Sequence, residues 1–375
     1  MNILFYENLL NPEKGGVQRV TYILAREFTQ RCAFNCYVAH VENDDFRDES
    51  VFKRVCYCNE SPKLLEEFIR KNKIDVVINQ LARNYRDVEL LSKICKKYNI
   101  KLISCLHISP NSSLDSCRYS NICFFNEWLR SKIKRLILSI IRVDIRELRY
   151  AYQKSDRLVV LSPLYIKQIS ELLKVNSKKI VSIYNPLSFE NSNIDKKEKI
   201  VLVVSRMVEN PKRISLVLKV WDSLQHQLSG WNLYIVGEGS HLPNYIKICL
   251  NKGLKNVHFV GRQDPRPYYE KATMFLMTSA FEGFGMTLIE AQQFGVIPIA
   301  FNTAPVFEDI INHGENGLLV PEGNIELYKK AIIEIANNIA LRDKLAANAK
   351  ISSFRFAPEV IANEWKKMLI PLVTK

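Results

Sequence analysis

The chain has 375 residues, of which 47% are hydrophobic and 25% charged, a composition that is typical of a globular protein and excludes a largely disordered one. No stretch of about 20 residues is both apolar and free of charged side chains. The N-terminal segment lacks the basic start and the apolar stretch of a secretory signal. The length predicts two domains, and we expect a cytoplasmic protein.

The formal net charge of +14 is unevenly distributed. Residues 1–188 contain 31 Lys and Arg against 20 Asp and Glu, a net charge of +11, and the remaining residues contain 22 against 19, a net charge of +3. An excess of positive charge in the first half is compatible with a nucleic acid, an anionic membrane or an acidic substrate as partner.

The nine cysteines form no pair of CxxC motifs. An odd number in a cytosolic chain favours reduced, buried thiols. Cys117, Cys123 and His107 have no fourth ligand at a suitable spacing, so no metal site is expected.

In the first half, short β-branched segments alternate with helical patterns, which predicts a parallel sheet with crossover helices. The expected strands are Asn2–Tyr6, Asn35–His40, Ile74–Asn79, Ile100–Leu106, Arg157–Leu161 and Lys179–Tyr184. The polar stretch from Asn185 to Lys199 has no apolar period and predicts a linker between two domains.

The second half repeats the scheme, which predicts a second doubly wound sheet. The expected strands are Ile200–Ser205, Asn232–Val236, Val257–Val260, Met274–Met277, Val296–Ala300 and Gly317–Val320. Beyond Glu322 the pattern is helical, and a separate amphipathic helix is expected over Pro358–Leu372. The predicted organisation is an N-terminal domain over 1–188, a C-terminal domain over 189–357, and a final helix over 358–375 that packs back on the N-terminal domain. Two such domains that face each other across a cleft would surround a ligand with strand and helix ends.

The segment FEGFGMTLIE at 281–290 follows a predicted strand and opens a helix expected from about 284 to 294. Gly283 and Gly285 would let a ligand approach the backbone, so that N–H groups of the first helical turn face a phosphate or sugar oxygen. Glu282 and Glu290 would lie about 12 Å apart along a helical path, which suits two ends of an elongated ligand better than a carboxylate pair. In the alternative interpretation, Glu282 caps the helix and Glu290 is solvated.

Two cations follow the first strand of the second half, in the segment SRMVENPKRIS. Arg206 and Lys212 at a strand exit and helix start suit a diphosphate, which needs several donors. A solvated surface pair is the alternative. Further glycine-bearing loops, VGEGS at 236–240 and FVGRQDP at 259–265, would open on the same edge of the sheet.

Together these stretches resemble the family 4 glycosyltransferases of the GT-B fold. The matching segments are VVSRMVENPKRIS, YIVGEGS, VHFVGR, FEGFGMTLIEAQQFGVIPIA and ENGLLVP, in family order over most of residues 200–322. The resemblance implies an α/β protein with two Rossmann-like, doubly wound domains. It also implies that Glu282 contacts a donor sugar, Glu290 the ribose, Arg206 and Lys212 the diphosphate, and the backbone near Arg262 the base. The donor site implied in this way also includes Gly237, Gly283, Phe284, Gly285, Met286 and Thr287.

The first half resembles the same family at two places. Gly15 and Gly16, between the first strand and the first helix, are similar to a glycine-rich loop near the donor phosphates, although a simple turn is the alternative. His107, after the strand at Ile100–Leu106, is similar to a histidine that reaches the donor sugar, although a lone histidine is more often structural. The family histidine is commonly followed by an acidic residue, and Ile108 stands here instead. The expected catalytic residues are therefore His107, Glu282, Arg206 and Lys212.

The resemblance implies sugar transfer with retention of anomeric configuration, without metal or cofactor. No Asp-x-Asp motif ends a strand, so cations and helix dipoles would stabilise the departing nucleoside diphosphate. By family analogy, the leaving phosphate would help to deprotonate the acceptor hydroxyl on the front face. UDP is the expected carrier, and the expected acceptor is a glycan or a lipid-linked glycan of a surface polysaccharide.

Residues 124–150 combine basic and apolar side chains in the pattern of a basic amphipathic helix. This pattern suits a peripheral contact with the inner face of an anionic membrane, or a long domain helix with solvated charges. Nucleic acid is not expected, because no zinc, RNP-like or basic-aromatic pattern occurs. A GT-B-fold epimerase or phosphorylase and a non-catalytic nucleotide-sugar-binding subunit are the alternative functions.

Overall fold

The structure, a computed structural model, describes residues 1–58, 61–110, 143–190 and 196–374. Contacts divide these residues into two compact units. We call residues 1–110, 143–188 and 356–374 the N-terminal domain, and Phe189–Arg355 the C-terminal domain. Strands and helices are numbered in chain order over the described residues.

The N-terminal domain contains a seven-stranded parallel sheet. Its strands are β1 Asn2–Glu7, β2 Asn35–His40, β3 Arg54–Tyr57, β4 Val76–Asn79, β5 Lys101–Leu106, β6 Arg157–Val160 and β7 Ile180–Ser182. Its helices are α1 Gly16–Arg31, α2 Pro62–Lys71, α3 Tyr85–Tyr98, α4 at residues 143–154 and α5 Pro163–Leu173. The strand order β3-β2-β1-β4-β5-β6-β7 reverses direction at β1, as in doubly wound folds.

Both faces of this sheet are covered by helices. Phe5 in β1 stacks on Phe28 of α1, with ring centroids 6.0 Å apart. On the other face the Tyr6 hydroxyl donates to Asp87 Oδ1 of α3 at 2.9 Å. The start of α3 is fixed by Asn84, whose side chain accepts hydrogen bonds from two backbone N–H groups of the first turn. Strands that are buried on both faces explain the continuous apolar runs in the sequence.

The C-terminal domain contains a six-stranded parallel sheet in the order β10-β9-β8-β11-β12-β13. Its strands are β8 Ile200–Val204, β9 Asn232–Val236, β10 Val257–Gly261, β11 Met274–Met277, β12 Ile297–Asn302 and β13 Leu318–Pro321. Its helices are α6 Glu209–Lys212, α7 Ile214–Leu224, α8 Leu242–Lys252, α9 Arg266–Lys271, α10 Met286–Gln293, α11 Val306–Ile310, α12 Ile325–Asn337 and α13 Ile339–Ser353. A short 3₁₀ helix, Phe354–Phe356, follows α13.

The last helix, α14 Pro358–Val373, belongs to the N-terminal domain. Its buried Trp365 meets Phe28 of α1 edge to face, with ring centroids 6.3 Å apart. The chain re-enters this domain at Phe356, whose carbonyl accepts a hydrogen bond from Leu187 N at 2.8 Å. The division between the units therefore falls two residues before the 357/358 boundary expected from the sequence.

The sequence patterns locate 12 of the 13 described strands, three of them with the same bounds as the structure. The strand that they miss is β3, which lies at the edge of its sheet and is only partly buried. Helix α10 begins at Met286, two residues later than expected. No described helix is both long enough and apolar enough to cross a membrane.

Candidate functional site

Two loops of the C-terminal domain leave the carboxyl edge of its sheet side by side. Strands β8 and β11 are neighbours in a parallel sheet, so the loops that follow them start at the same edge. The segment after β8 contains Arg206 and then Lys212, which is the last residue of the short helix α6, and the loop after β11 contains Glu282. Ligands of open parallel sheets bind at this edge.

Hydrogen bonds join the two loops. The Arg213 guanidinium donates to Thr278 O at 2.7 Å, and the Thr278 hydroxyl contacts the carbonyl oxygens of Lys212 and Arg213 at 3.1 and 3.0 Å. Ala280 N donates to Pro211 O at 2.8 Å. The backbone on both sides of Lys212 is thereby held against the loop after β11. Sequence reasoning misses Arg213, and the only signal is its position next to Lys212.

This junction brings Lys212 and Glu282 together, as the sequence hypothesis requires. Lys212 Nζ donates to Glu282 Oε1 at 2.5 Å, and the two side chains are only 18% and 14% exposed. Because such a pair is partly withdrawn from water, its charges are less screened than those of a surface pair. Lys212 also lines a small pocket with Ser205, Thr278 and Thr287.

Arg206, in contrast, is exposed and forms no ion pair with any residue that the structure describes. It lies two residues after β8, in the segment that leads to Lys212 at the end of α6. Its guanidinium is thus available to an anion that reaches this edge.

Helix α10 begins at the same edge, and Gly285 is its N-cap. Gly285 has a φ of +94°, and a Cβ there would lie 3.1 Å from both Leu288 Cδ1 and Phe307 Cε1. Only glycine fits this turn without strain. Since the cap is Gly285, the alternative in which Glu282 caps the helix is wrong. Phe284, Met286 and Thr287 surround the helix start, where unsatisfied N–H groups favour anions.

Glu290 lies in α10, one turn after the helix start. Its side chain is only 2% exposed, so the alternative in which it is solvated is also wrong. The hydroxyl of buried Tyr269, in α9, donates to Glu290 Oε2 at 3.1 Å. Sequence reasoning does not find this partner, because Tyr269 lies in a short helix that matches no motif.

Two further glycines shape the neighbouring loop after β9. A Cβ on Gly237 would lie 2.0 Å from Ser205 O, and one on Gly239 would lie 2.5 Å from Met207 O. These glycines therefore allow the loops after β8 and β9 to pack backbone to backbone. Arg262, after β10, contacts Glu238 Oε1 at 3.2 Å, and both side chains are more than half exposed.

Gly15 and Gly16 lie at the start of α1 in the N-terminal domain. Gly15 is the N-cap with extended backbone, and a Cβ on Gly16 would meet nothing within 4 Å. Neither glycine has a positive φ. The fold alone does not require glycine at Gly16, which leaves room for a close approach to the backbone there.

His107 follows β5 at the carboxyl edge of the N-terminal sheet, and its imidazole forms a hydrogen bond with the side chain of Gln80. The distance from His107 Nε2 to Gln80 Oε1 is 2.6 Å, and Gln80 Nε2 donates to the Thr21 hydroxyl at 3.0 Å. Because an amide oxygen only accepts, Nε2 carries the proton and Nδ1 does not. Nδ1 is buried and has no partner within the described residues. Burial lowers the pKa of His107 to about 4, so its imidazole is neutral at pH 7.

Glu7, at the end of β1, is a buried acid that sequence reasoning misses. Its side chain is fully buried, and neither carboxyl oxygen has a hydrogen-bond partner of standard geometry in the described part of the chain. Burial raises the pKa of Glu7 well above its usual value, and this effect outweighs the opposing influence of the nearby Thr21 hydroxyl. Sequence patterns do not show whether a single carboxyl group at the end of a strand is buried.

Most of the basic stretch at 124–150 lies outside the described residues, as do Cys117 and Cys123. Within the described part, residues 143–154 are helical, and Asp144 forms an ion pair with Arg83. The seven cysteines that the structure describes form no disulfide bonds. No group of three or more His, Cys, Asp or Glu side chains suited to a metal ion occurs among the described residues.

Comparison with known proteins finds a match in the C-terminal part of the chain. Residues 185–352 match the family model "Glycosyl transferases group 1". The chain is 31% identical over 218 residues to an uncharacterized glycosyltransferase of Haemophilus influenzae, a match that covers 57% of this chain and 61% of that protein. It is 26% identical over 234 residues to the amylovoran biosynthesis glycosyltransferase AmsD of Erwinia amylovora, covering 60% of this chain and 65% of AmsD. The chain thus spans less than two thirds of the length of these curated relatives.

A solved structure is similar over nearly the whole chain. The crystal structure of HepE from Anabaena in complex with UDP and glucose superposes with a TM-score of 0.75 at 16% identity, covering 99% of this chain and all of HepE. A likeness at this identity shows the fold. The chain therefore has the GT-B fold, with two Rossmann-like parallel-sheet domains, and residues 185–352 match the family model of the group 1 glycosyltransferases.

Proposed function

We propose that the protein is a retaining glycosyltransferase of family 4 that moves a sugar from a nucleotide diphosphate, UDP in the first place, to a glycan or lipid-linked glycan. The observation that carries this proposal is the pair Lys212–Glu282, held by joined loops beside the start of α10. The family match over residues 185–352 supports it. HepE, which shares the fold, was crystallised in complex with UDP and glucose, and this supports the choice of carrier.

Different residues at this edge would bind different parts of an elongated donor. Arg206, Lys212 and the N-terminus of α10 would bind the diphosphate, because all three favour negative charge. Glu282 would accept hydrogen bonds from sugar hydroxyls. Glu290, oriented by Tyr269, would do the same for the ribose hydroxyls. The loops that contain Gly237, Gly283 and Arg262 would complete the donor site.

The proposed reaction takes place on one face of the sugar. The bond between the anomeric carbon and the β-phosphate oxygen breaks, and the acceptor oxygen forms its bond to that carbon from the same side. The acceptor proton passes to an oxygen of the departing diphosphate. Lys212 and Arg206 would stabilise the charge that develops on this leaving group, so no metal ion is assigned to the step. Neutral His107 and the Gly15–Gly16 loop are proposed to reach the donor from the N-terminal domain.

A transfer assay tests the proposal. Purified protein is incubated with a panel of UDP- and GDP-sugars, with and without a glycan extract as acceptor. We expect acceptor-dependent release of UDP and a product whose anomeric configuration, read by NMR, is that of the donor. Inverted product would contradict retention. An epimerised donor without transfer would replace the proposal with the epimerase alternative, and binding without turnover would favour a non-catalytic subunit.

We also propose that the basic stretch at 124–150 brings the protein to the cytoplasmic face of an anionic membrane, where a lipid-linked acceptor is located. Its support is the sequence alone, which combines clustered Lys and Arg with apolar residues. Replacing Lys132, Lys134, Arg135 and Arg142 with Gln should reduce sedimentation with anionic liposomes. Unchanged sedimentation would remove the membrane proposal and leave the transferase proposal intact.

A further inference from the structure

A second hollow lies on the N-terminal domain, at the opposite edge of its sheet from His107. Its volume is about 710 Å³, and it is open to solvent. It is lined by residues at the amino ends of β3 and β4 and by one residue of β2. These residues are Tyr37, Glu49, Lys53, Arg54, Lys71, Asn72 and Lys73. Because the catalytic ligands of such folds bind at the carboxyl edge, this hollow is separate from the site proposed above.

Four of the seven lining residues are cations, and one is an acid. Lys53, Arg54, Lys71 and Lys73 are all exposed, and none of them forms an ion pair within the described part of the chain. They come from two separate segments, with Lys53 and Arg54 at the start of β3 and Lys71 and Lys73 at the end of α2. The end of α2 favours nearby lysines through its dipole, but this cause does not apply to Lys53 and Arg54. Convergence of like charges from two segments concentrates positive potential in one concave surface.

We propose that this hollow, which we call the basic hollow, binds a linear anionic polysaccharide. The four cations match the charged groups of such a chain. The lining also includes the exposed carboxylate of Glu49, a group that accepts hydrogen bonds from sugar hydroxyls. The inference goes beyond sugar transfer and does not depend on the donor site.

The shape and lining of the basic hollow disfavour two other anionic partners. A membrane surface is flat, whereas these cations line a concave site. Single-stranded nucleic acid is bound through exposed aromatic rings on which bases stack, and the one ring in the basic hollow, Tyr37, is only 8% exposed.

Binding of the full-length protein to labelled alginate tests the inference, because alginate is a linear polysaccharide with one carboxylate on each sugar. The hollow variant replaces Lys53, Arg54, Lys71 and Lys73 with Gln. The control variant replaces Lys63, Lys96, Lys174 and Lys178 with Gln, and these are exposed lysines elsewhere on the same domain. Both variants lose the same charge, so they separate a local site from a general effect of net charge.

We expect the Kd for alginate to rise at least about tenfold in the hollow variant and less than about threefold in the control, with the hollow variant also less sensitive to salt. Equal losses in the two variants, or no binding of alginate by the unmodified protein, would overturn the proposal. Binding of the same proteins to phosphatidylglycerol vesicles and to single-stranded DNA is measured in parallel. If the hollow variant loses affinity for either of these as much as for alginate, or in place of it, the assignment to a polysaccharide is wrong.

Discussion

At the scale of single residues, sequence patterns predict the charged groups of the proposed donor site but not the contacts that hold them. Lys212 and Glu282 are 70 residues apart, and they meet because Arg213 and Thr278 join their loops. Such a junction depends on the position of backbone carbonyls, which no residue pattern reveals. Sequence patterns also miss Tyr269, because its role depends on a single hydroxyl inside a packed core.

Glu282 is expected to act on the sugar and not on the nucleotide. Replacing Glu282 with Gln removes the anionic partner of Lys212 and leaves that cation free for the diphosphate. We expect kcat to fall about 100-fold while the Kd for UDP changes less than about threefold. The control is Asp222→Asn, which alters the exposed Lys252–Asp222 pair of the same domain. Loss of UDP affinity in the Glu282 variant would contradict this role.

Tyr269 is expected to stabilise the buried carboxylate of Glu290. Tyr269→Phe deletes the hydroxyl and leaves a buried acceptor with one donor fewer, so the free energy of unfolding should fall by about 1–3 kcal/mol. Denaturant unfolding of the full chain measures it. Tyr268→Phe is the matched control, because the Tyr268 hydroxyl forms no hydrogen bond with the residues described. Equal stability of the two variants would show that the contact is unimportant.

Glu7 predicts a specific dependence of stability on pH. Burial raises its pKa in the folded state above the ordinary value of 4.5, so the folded protein keeps a proton that the unfolded chain releases. The contribution of Glu7 to the free energy of unfolding is therefore fully present below about pH 4.5 and is lost as the pH rises toward the folded-state pKa of Glu7. Gln cannot ionise, so the advantage of Glu7→Gln in unfolding free energy should grow as the pH rises above about 4.5. A difference that does not vary with pH, or that varies as it does for the exposed control Glu67→Gln, would refute this.

At the scale of elements, strands are easier to predict than helix ends. Twelve strands follow from runs of apolar residues, whereas β3 is a partly exposed strand at the edge of its sheet. The predicted start of α10 is two residues early because Phe284 continues the apolar pattern. The backbone turn at Gly285, which has a positive φ, delays the start of the helix. Apolar periodicity does not detect such a turn.

Gly285 should be necessary for the start of α10 and hence for nucleotide binding. Ala at this position would be strained at φ +94° and would crowd Leu288 and Phe307, so we expect a loss of about 1–3 kcal/mol of stability and a smaller thermal shift with UDP. Gly253→Ala is the control, because Gly253 also has a positive φ but open space around it. If the Gly285 variant keeps the full shift with UDP, the helix start does not contribute to the site.

At the scale of the whole molecule, the sequence predicts two doubly wound domains, and the structure has them. This prediction is possible because each domain repeats the same alternation of buried strands and amphipathic helices. The return of the chain to the N-terminal domain depends on side chains such as Phe356 and Trp365, which pack on residues distant in sequence. The basic hollow also arises only in the folded domain, since Lys53 and Arg54 lie at the start of β3 whereas Lys71 and Lys73 lie at the end of α2.

The central claim is that a nucleoside diphosphate binds where Lys212 meets the start of α10. Isothermal titration of UDP into the unmodified protein, Lys212→Met and Lys252→Met tests it most directly. Lys252 is an apt control, because it forms an equally short ion pair, 2.5 Å, in the same domain but away from this edge. We expect Lys212→Met to weaken UDP binding at least about tenfold, which corresponds to about 1.4 kcal/mol, and Lys252→Met to leave it unchanged. Equal affinity of all three proteins for UDP, or no binding by the unmodified protein, would contradict the account.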